Sequence, residues 1–152
     1  MKNRIFLLLA ASAALLLCGG CVTKMESDPN APTGPPSATI TFDEWQAAYD
    51  LAAATGKGTI NFNGQTRSFS ITGIGAGGTG AQDIVGVGKV FNLNSLSDFS
   101  GTYTGLRSGL TLFEGKMHEK LTNKKGVVIY LTAKTKGLSS STGFDEVVIT
   151  LK

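Results

Sequence analysis

The sequence predicts a mainly β protein, a small antiparallel β-barrel or sandwich with one N-terminal amphipathic helix. From residue 57 onward, apolar residues alternate with polar ones, which is the period of half-buried strands. The 152 residues include 20 glycines, which interrupt the strand candidates at short intervals. Many short strands with turn residues between them are typical of barrels and sandwiches. All four prolines fall between Pro29 and Pro36, so a linker precedes the β-rich part.

The first 20 residues predict an export signal. Lys2 and Arg4 supply a positive charge, and an uninterrupted run of apolar and small residues follows from Ile5 to Leu17. This run suits a signal peptide and is shorter than the roughly 20 residues of a membrane-spanning helix. Two glycines then precede Cys21 and supply the small side chains that a signal peptidase requires.

Cys21 is the predicted site of lipidation. In bacterial lipoproteins, the residue after the cleavage site is a cysteine whose thiolate takes a diacylglyceryl group. Cys18 stands where such signals usually carry leucine, so an ordinary secretory signal is the alternative. That alternative leaves one unpaired cysteine in an oxidising compartment. Because Val22 rather than aspartate follows, we expect an anchored protein of the bacterial cell envelope, at the outer membrane facing the periplasm in a Gram-negative host.

Residues 21–39 are predicted to be the lipidated cysteine and a Pro-rich tether, and residues 40–152 a single β-rich domain. The tether is polar and shows no hydrophobic period. Extended, about 18 residues at roughly 3 Å each reach about 50 Å. The domain can therefore stand clear of the bilayer that holds its anchor.

Residues 41–55 predict the amphipathic helix. Thr41 and Glu44 have the spacing of a capping box, and Gly56 suits the position just after a helix end. The apolar stripe at helical spacing consists of Phe42, Trp45, Ala48, Tyr49 and Ala52. Packing against the sheet is the favoured role of Trp45 and Tyr49, over a ligand site.

The remaining elements are short strands. Asn63-Gly64 lies between two alternating segments and is the strongest short signal for a hairpin. Further strands are predicted over residues 84–90, 102–106, 110–114, 127–133 and 146–151. Leu96–Phe99 is predicted to form a short helical turn.

No motif predicts an enzyme, a metal site or a cofactor. Gly73–Gly80 contains G-x-G-x-x-G twice, but a strand pattern follows it where a dinucleotide site requires a helix. His118 is the only histidine and has no partnered cysteines, so we expect a surface side chain. Asp145 and Glu146 are adjacent and should face opposite sides of a strand, which makes them a poor acid–base pair.

The charged residues exclude a general nucleic-acid binder. The net charge is +3, and without the two basic residues of the signal there are 12 basic and 11 acidic residues. A cluster of lysines nevertheless lies between residues 116 and 136, with Glu119 as its one acid. The candidate contacts to lipid headgroups are Lys116, Lys120, Lys124, Lys125, Lys134 and Lys136. A solvated surface that only keeps the protein soluble is the alternative.

The stretch from Gly73 to Ile149 resembles the SYLF family of lipid-binding domains. The similar residues are the glycine-rich turn Gly75–Gly80, the strand Ile84–Phe91, Leu96 with Phe99 and Gly101, Tyr130, Lys136-Gly137-Leu138 and Val147–Ile149. Ser139 departs from the family, which has phenylalanine there. The resemblance implies a β-rich domain that contacts membrane lipid, with Lys136 as a basic contact.

Together these features predict a non-enzymatic envelope lipoprotein whose β domain binds lipid or a hydrophobic envelope component. The alternative is a structural or assembly lipoprotein that docks another envelope protein through the helix or an exposed strand edge. The sequence leaves the oligomeric state undetermined.

Overall fold

A computed structural model of the protein describes residues 32–152, including all side chains except those of residues 45–52, 76–78, 110, 111 and 141. The predicted signal peptide, Cys21 and residues 21–31 of the predicted tether lie outside the described residues. Within the described part of the chain, no helix is long and apolar enough to span a membrane.

Four long antiparallel strands make up the fold. They are β1 (Ala38–Phe62), β2 (Gln65–Phe91), β3 (Gly101–Asn123) and β4 (Val128–Leu151). Their order in the sheet is β1-β2-β4-β3, and all three pairings are antiparallel. A short 3₁₀ helix, Leu96–Asp98, lies between β2 and β3 and confirms the predicted helical turn.

Each long strand turns back on itself near its middle, so that the four strands supply eight barrel strands. The two halves of β1 meet, because the Thr41 and Thr59 hydroxyl groups lie 2.9 Å apart and a Cβ atom on Gly58 would overlap the Thr41 carbonyl. The halves of β3 meet similarly, where a Cβ atom on Gly105 would overlap the Lys120 carbonyl. Each edge strand of the sheet therefore pairs with itself. The fold is a closed antiparallel barrel of eight strands, which is the first of the two predicted architectures, and not a sandwich.

The two ends of the barrel differ. All three connections between strands lie at one end, which we call the connection end: residues 63–64, 92–100 and 124–127. The strands bend at the opposite end, the bend end, where the β1–β2 register shifts between Tyr49 and Leu51. The β2–β4 register also shifts there, between Ala76 and Thr79.

The apolar core fills the half of the barrel nearest the connection end. Phe69 packs edge-on against Phe99 with ring centroids 5.2 Å apart, and the Tyr103 hydroxyl donates to the Phe99 carbonyl at 2.9 Å. Inward-facing isoleucines, valines and leucines of all four strands surround these rings. All four strands and this core lie within residues 38–152.

The predicted helix over residues 41–55 is wrong, because β1 runs through these residues as a strand. Phe42 and Glu44 are buried while Thr41 and Asp43 are exposed, which is the alternation of a strand. The side chains of Trp45 and Tyr49 lie outside the described ones, so their packing stays a prediction. Pairing of β1 with β2 along its length outweighs the local capping-box preference.

The predicted hairpin at Asn63-Gly64 is confirmed. These two residues join β1 to β2, with φ angles of 50° and 80°. Two positive φ values in a two-residue loop are the signature of a type I′ turn, which Asn-Gly favours. This short-range prediction therefore needs no information from elsewhere in the chain.

Candidate functional site

The structure divides the six predicted lysines between two places. Lys124 and Lys125 lie in the turn at the connection end, where the Lys125 Nζ atom lies 2.9 Å from an Asp98 carboxylate oxygen. The other four are exposed along β3 and β4. These four are Lys116, Lys120, Lys134 and Lys136.

Strand register places two of these lysines directly against each other. Lys116 lies opposite Lys134 in the β3–β4 pairing. Like charges at directly opposed positions destabilise a sheet. Lys136 is placed differently, because Glu114 and Asp83 lie opposite it on the two neighbouring strands. The Lys116–Lys134 pair thus places two positive charges side by side on this face.

A seventh lysine, Lys89 of β2, joins the group through the sheet. Lys89 and Lys120 lie on either side of Tyr130. The Tyr130 ring stacks on His118 with centroids 6.3 Å apart, and the His118 Nδ1 atom lies 3.5 Å from the Thr132 hydroxyl. We call this surface the basic face, and it comprises Lys89, Lys116, Lys120 and Lys134 around His118 and Tyr130.

The dimensions of the basic face suit several anions better than one. Lys116 and Lys120 are four residues apart on one strand, about 13 Å. Lys89 and Lys120 are two strand spacings apart, about 10 Å. Since all four lysines are exposed, they can contact phosphates spread over a surface. An isolated anion, in contrast, is usually held by convergent buried donors.

The interior of the barrel contains a second polar group, which sequence reasoning missed. Four charged side chains point inward and are buried: Glu44, Arg107, Glu119 and Asp145. Arg107 forms a salt bridge with Asp145, and the buried Glu119 Oε1 atom has no hydrogen-bond partner among the described residues. Three carboxyl groups therefore share one guanidinium group, which favours protonation of the carboxyls that lack it.

The pKa values of two of these carboxyl groups reflect that competition. Burial raises the pKa of Glu44 to about 7, against an opposing effect of the Arg107 charge. Burial also raises the pKa of Glu119 well above its ordinary value, and the neighbouring Asp145 raises it further. Both shifts favour the neutral form of these carboxyl groups, which lowers the negative charge of the interior.

A small cavity adjoins this polar group. Its volume is about 20 Å³, and Glu44 and Glu119 line it together with apolar side chains. A space of that size holds about one water molecule, whereas pockets for organic ligands measure roughly 300 Å³ or more. Among the described side chains, this cavity therefore has no room for an organic ligand, and the exposed basic face is the candidate site. Among the described residues, no group of histidine, cysteine and acidic side chains is suited to hold a metal ion.

The alternation of inward-facing and outward-facing residues along each strand is the sequence signal that identifies the buried charged side chains. Asp145 is buried and Glu146 exposed, which confirms that they face opposite sides. His118 and Glu119 are also on opposite sides, since Glu119 is buried and His118 lies on the outer surface. A charged residue in phase with buried apolar neighbours, such as Glu44 after Phe42, is an inward-facing one.

The chain matches no family model, no curated protein and no solved structure. Its function is therefore inferred from its own residues, and the resemblance to SYLF domains stays a prediction. Lys136, which the resemblance implies as a basic contact, is exposed on β4. Ser139, where the resemblance fails, is buried and donates to Gln82 at 2.6 Å.

Proposed function

We propose that this protein is a non-enzymatic, lipid-anchored protein of the bacterial envelope whose barrel binds anionic lipid headgroups through the basic face. The observation that carries the proposal is the directly opposed Lys116–Lys134 pair within a group of four lysines. An anionic surface relieves the repulsion between such charges, and each lysine near it contributes about 1 kcal/mol. The predicted acyl group on Cys21 brings the barrel within reach of a membrane.

Binding to vesicles tests the proposal. We expect residues 22–152, without the anchor, to sediment with vesicles of phosphatidylglycerol and phosphatidylcholine, and to be released by salt. The double variant Lys116→Gln/Lys134→Gln should partition about 30-fold more weakly, since two lysines contribute about 2 kcal/mol.

The matched control is Lys57→Gln/Lys152→Gln, which removes the same charge from exposed lysines outside the basic face. It should retain most of the binding. Equal losses in both double variants would show that only net charge matters. No salt-dependent sedimentation, together with no co-purified lipid by mass spectrometry, would overturn the proposal.

Docking to another envelope protein is the alternative function. It was expected to use the helix over residues 41–55 or an exposed strand edge. Residues 41–55 are part of β1, and the barrel pairs both edges of its sheet. Crosslinking in cells distinguishes the two functions, because a stoichiometric protein partner that is retained by Lys116→Gln/Lys134→Gln would favour docking.

A further inference from the structure

The bend end of the barrel exposes a group of large apolar side chains. Leu112 lies directly opposite Leu138, and Phe113 follows Leu112 at the bend of β3, since Gly109 and Lys116 of its two halves face each other. All three apolar side chains are at least 59% exposed. We call this surface the apolar end, and it comprises Leu112, Phe113 and Leu138. Contiguous exposed apolar side chains mark an interaction surface when they exceed the scattered residues of an ordinary surface.

Phe113 is the most exposed of these residues and has an unusual backbone conformation. Its side chain is 84% exposed, and its φ angle is +74°. That region favours glycine and is costly for a bulky L-residue. Because the exposed ring adds little to the packing of the barrel, the fold does not explain a phenylalanine here. A strained residue that the fold does not need points to a binding role.

The basic face begins next to the apolar end. Lys116 follows Phe113 by three residues on β3, and Lys134 precedes Gly137, the cross-strand neighbour of Phe113, by three residues on β4. Three residues of strand span about 10 Å. Apolar side chains at a tip with cations about 10 Å behind match the layers of an anionic bilayer, in which phosphates lie above the acyl chains.

We propose that the apolar end inserts among the acyl chains of an anionic bilayer while the basic face contacts the phosphates. This rests on the proposed lipid-binding function and adds the orientation of the barrel, with its connection end away from the membrane. The apolar end and Ala38, where β1 begins, lie at opposite ends of the barrel. Half a strand, about 12 residues, is at most about 40 Å long, and the chain between Cys21 and Ala38 reaches about 50 Å. An anchored barrel can therefore turn its bend end to the bilayer that holds its anchor.

Quenching by brominated lipid tests the orientation. Residues 22–152 with Phe113→Trp are mixed with phosphatidylglycerol vesicles that contain phosphatidylcholine brominated on its acyl chains. The matched control is Gln65→Trp, an exposed position at the connection end. Trp45 is common to both, so the wild-type signal is subtracted. We expect strong quenching of the added tryptophan at residue 113 and none at residue 65.

A second variant separates binding from folding. Phe113→Gly removes the exposed ring and supplies the residue that the positive φ angle favours, so the barrel should be at least as stable as the wild type. We expect its partition onto the same vesicles to fall about tenfold. Val148→Thr is the control, because Val148 is 42% exposed on β4 outside the apolar end. It should leave partition within about twofold of the wild type.

The possible outcomes are distinct. Lysine-dependent sedimentation with equal quenching at residues 113 and 65, or with unchanged binding by Phe113→Gly, overturns the insertion and leaves the proposed function standing. No sedimentation of the wild type, together with no co-purified lipid by mass spectrometry, overturns both. Concentration-dependent self-association that Phe113→Gly abolishes, without quenching by lipid, assigns the apolar end to a contact between copies and overturns the insertion.

Discussion

Glu44 shows how a single inward-facing residue makes the barrel sensitive to pH. Its carboxyl group lies in the barrel interior between the apolar core and the Arg107–Asp145 salt bridge. Asp145 already engages the one guanidinium group in the cluster, so Glu44 gains only part of the compensation that burial of a charge requires. The neutral form is therefore favoured up to about pH 7.

The first prediction concerns stability against pH. Glu44 has a pKa of about 7 when folded and an ordinary value of 4.5, so the folded protein holds the extra proton between these values. The free energy of unfolding should therefore fall as pH rises from about 4.5 to 7, by about 3 kcal/mol in total from this group, and then level off. Urea unfolding followed by circular dichroism measures this slope.

Glu44→Gln should reduce that slope, because the amide does not titrate. Glu119 still contributes a decrease of the same sign at higher pH, since its pKa is also raised. The control is Glu146→Gln, which alters an exposed carboxyl group on β4 and should keep the wild-type slope. Indistinguishable slopes for Glu44→Gln and the wild type would contradict the assignment.

At the scale of the elements, barrel closure depends on close approach between halves of the same strand. Gly58 in β1 and Gly105 in β3 face backbone of the opposite half of their own strand. A side chain at either position would push the two halves apart. These glycines thus serve closure rather than turns.

The second prediction tests that closure. Gly58→Ala should lower the free energy of unfolding by about 1–3 kcal/mol, because its Cβ atom would overlap the Thr41 carbonyl and the Phe69 ring. Gly109→Ala is the milder comparison, since its nearest contact would be the Lys116 carbonyl at 3.2 Å. Thermal and urea unfolding of the two variants give the difference. Equal stability of both variants would argue that the halves of β1 are not in close contact.

At the scale of the whole molecule, the proposed anchor and the proposed lipid-binding surfaces of the barrel would act together. An acyl group on Cys21 would restrict the barrel to a layer next to one membrane, which would raise the effective concentration of both the basic face and the apolar end at lipid. Weak contacts at the barrel surface would then be sufficient for binding. Such an arrangement would allow a protein with nearly balanced charge to use one cationic face.

The third prediction concerns the anchor itself. Cells that express the wild-type protein should incorporate labelled palmitate into it, and Cys21→Ser should abolish the label, because the acyl acceptor is the cysteine thiolate. Cys18→Ser is the matched control and should keep the label, since Cys18 lies in the segment that the predicted cleavage before Cys21 would remove. Label retained by Cys21→Ser would contradict the predicted lipidation.

Local patterns in the sequence by themselves determined the features that involve neighbouring residues. Asn63-Gly64 specifies its turn because both φ angles are set within two residues. The alternation from residue 57 onward predicts strands, and Asp145 and Glu146 face opposite sides as that alternation requires.

Only the tertiary structure decided which distant residues meet. It made residues 41–55 a strand, because pairing along β1 and β2 exceeds helix preferences of a fraction of a kcal/mol per residue. It brought Lys89 beside the lysines of β3 and β4, and Arg107 against Asp145, 38 residues away. Strand register couples residues far apart in the chain, and no local pattern specifies it. The basic face, the buried carboxyl groups and the apolar end are all consequences of that register.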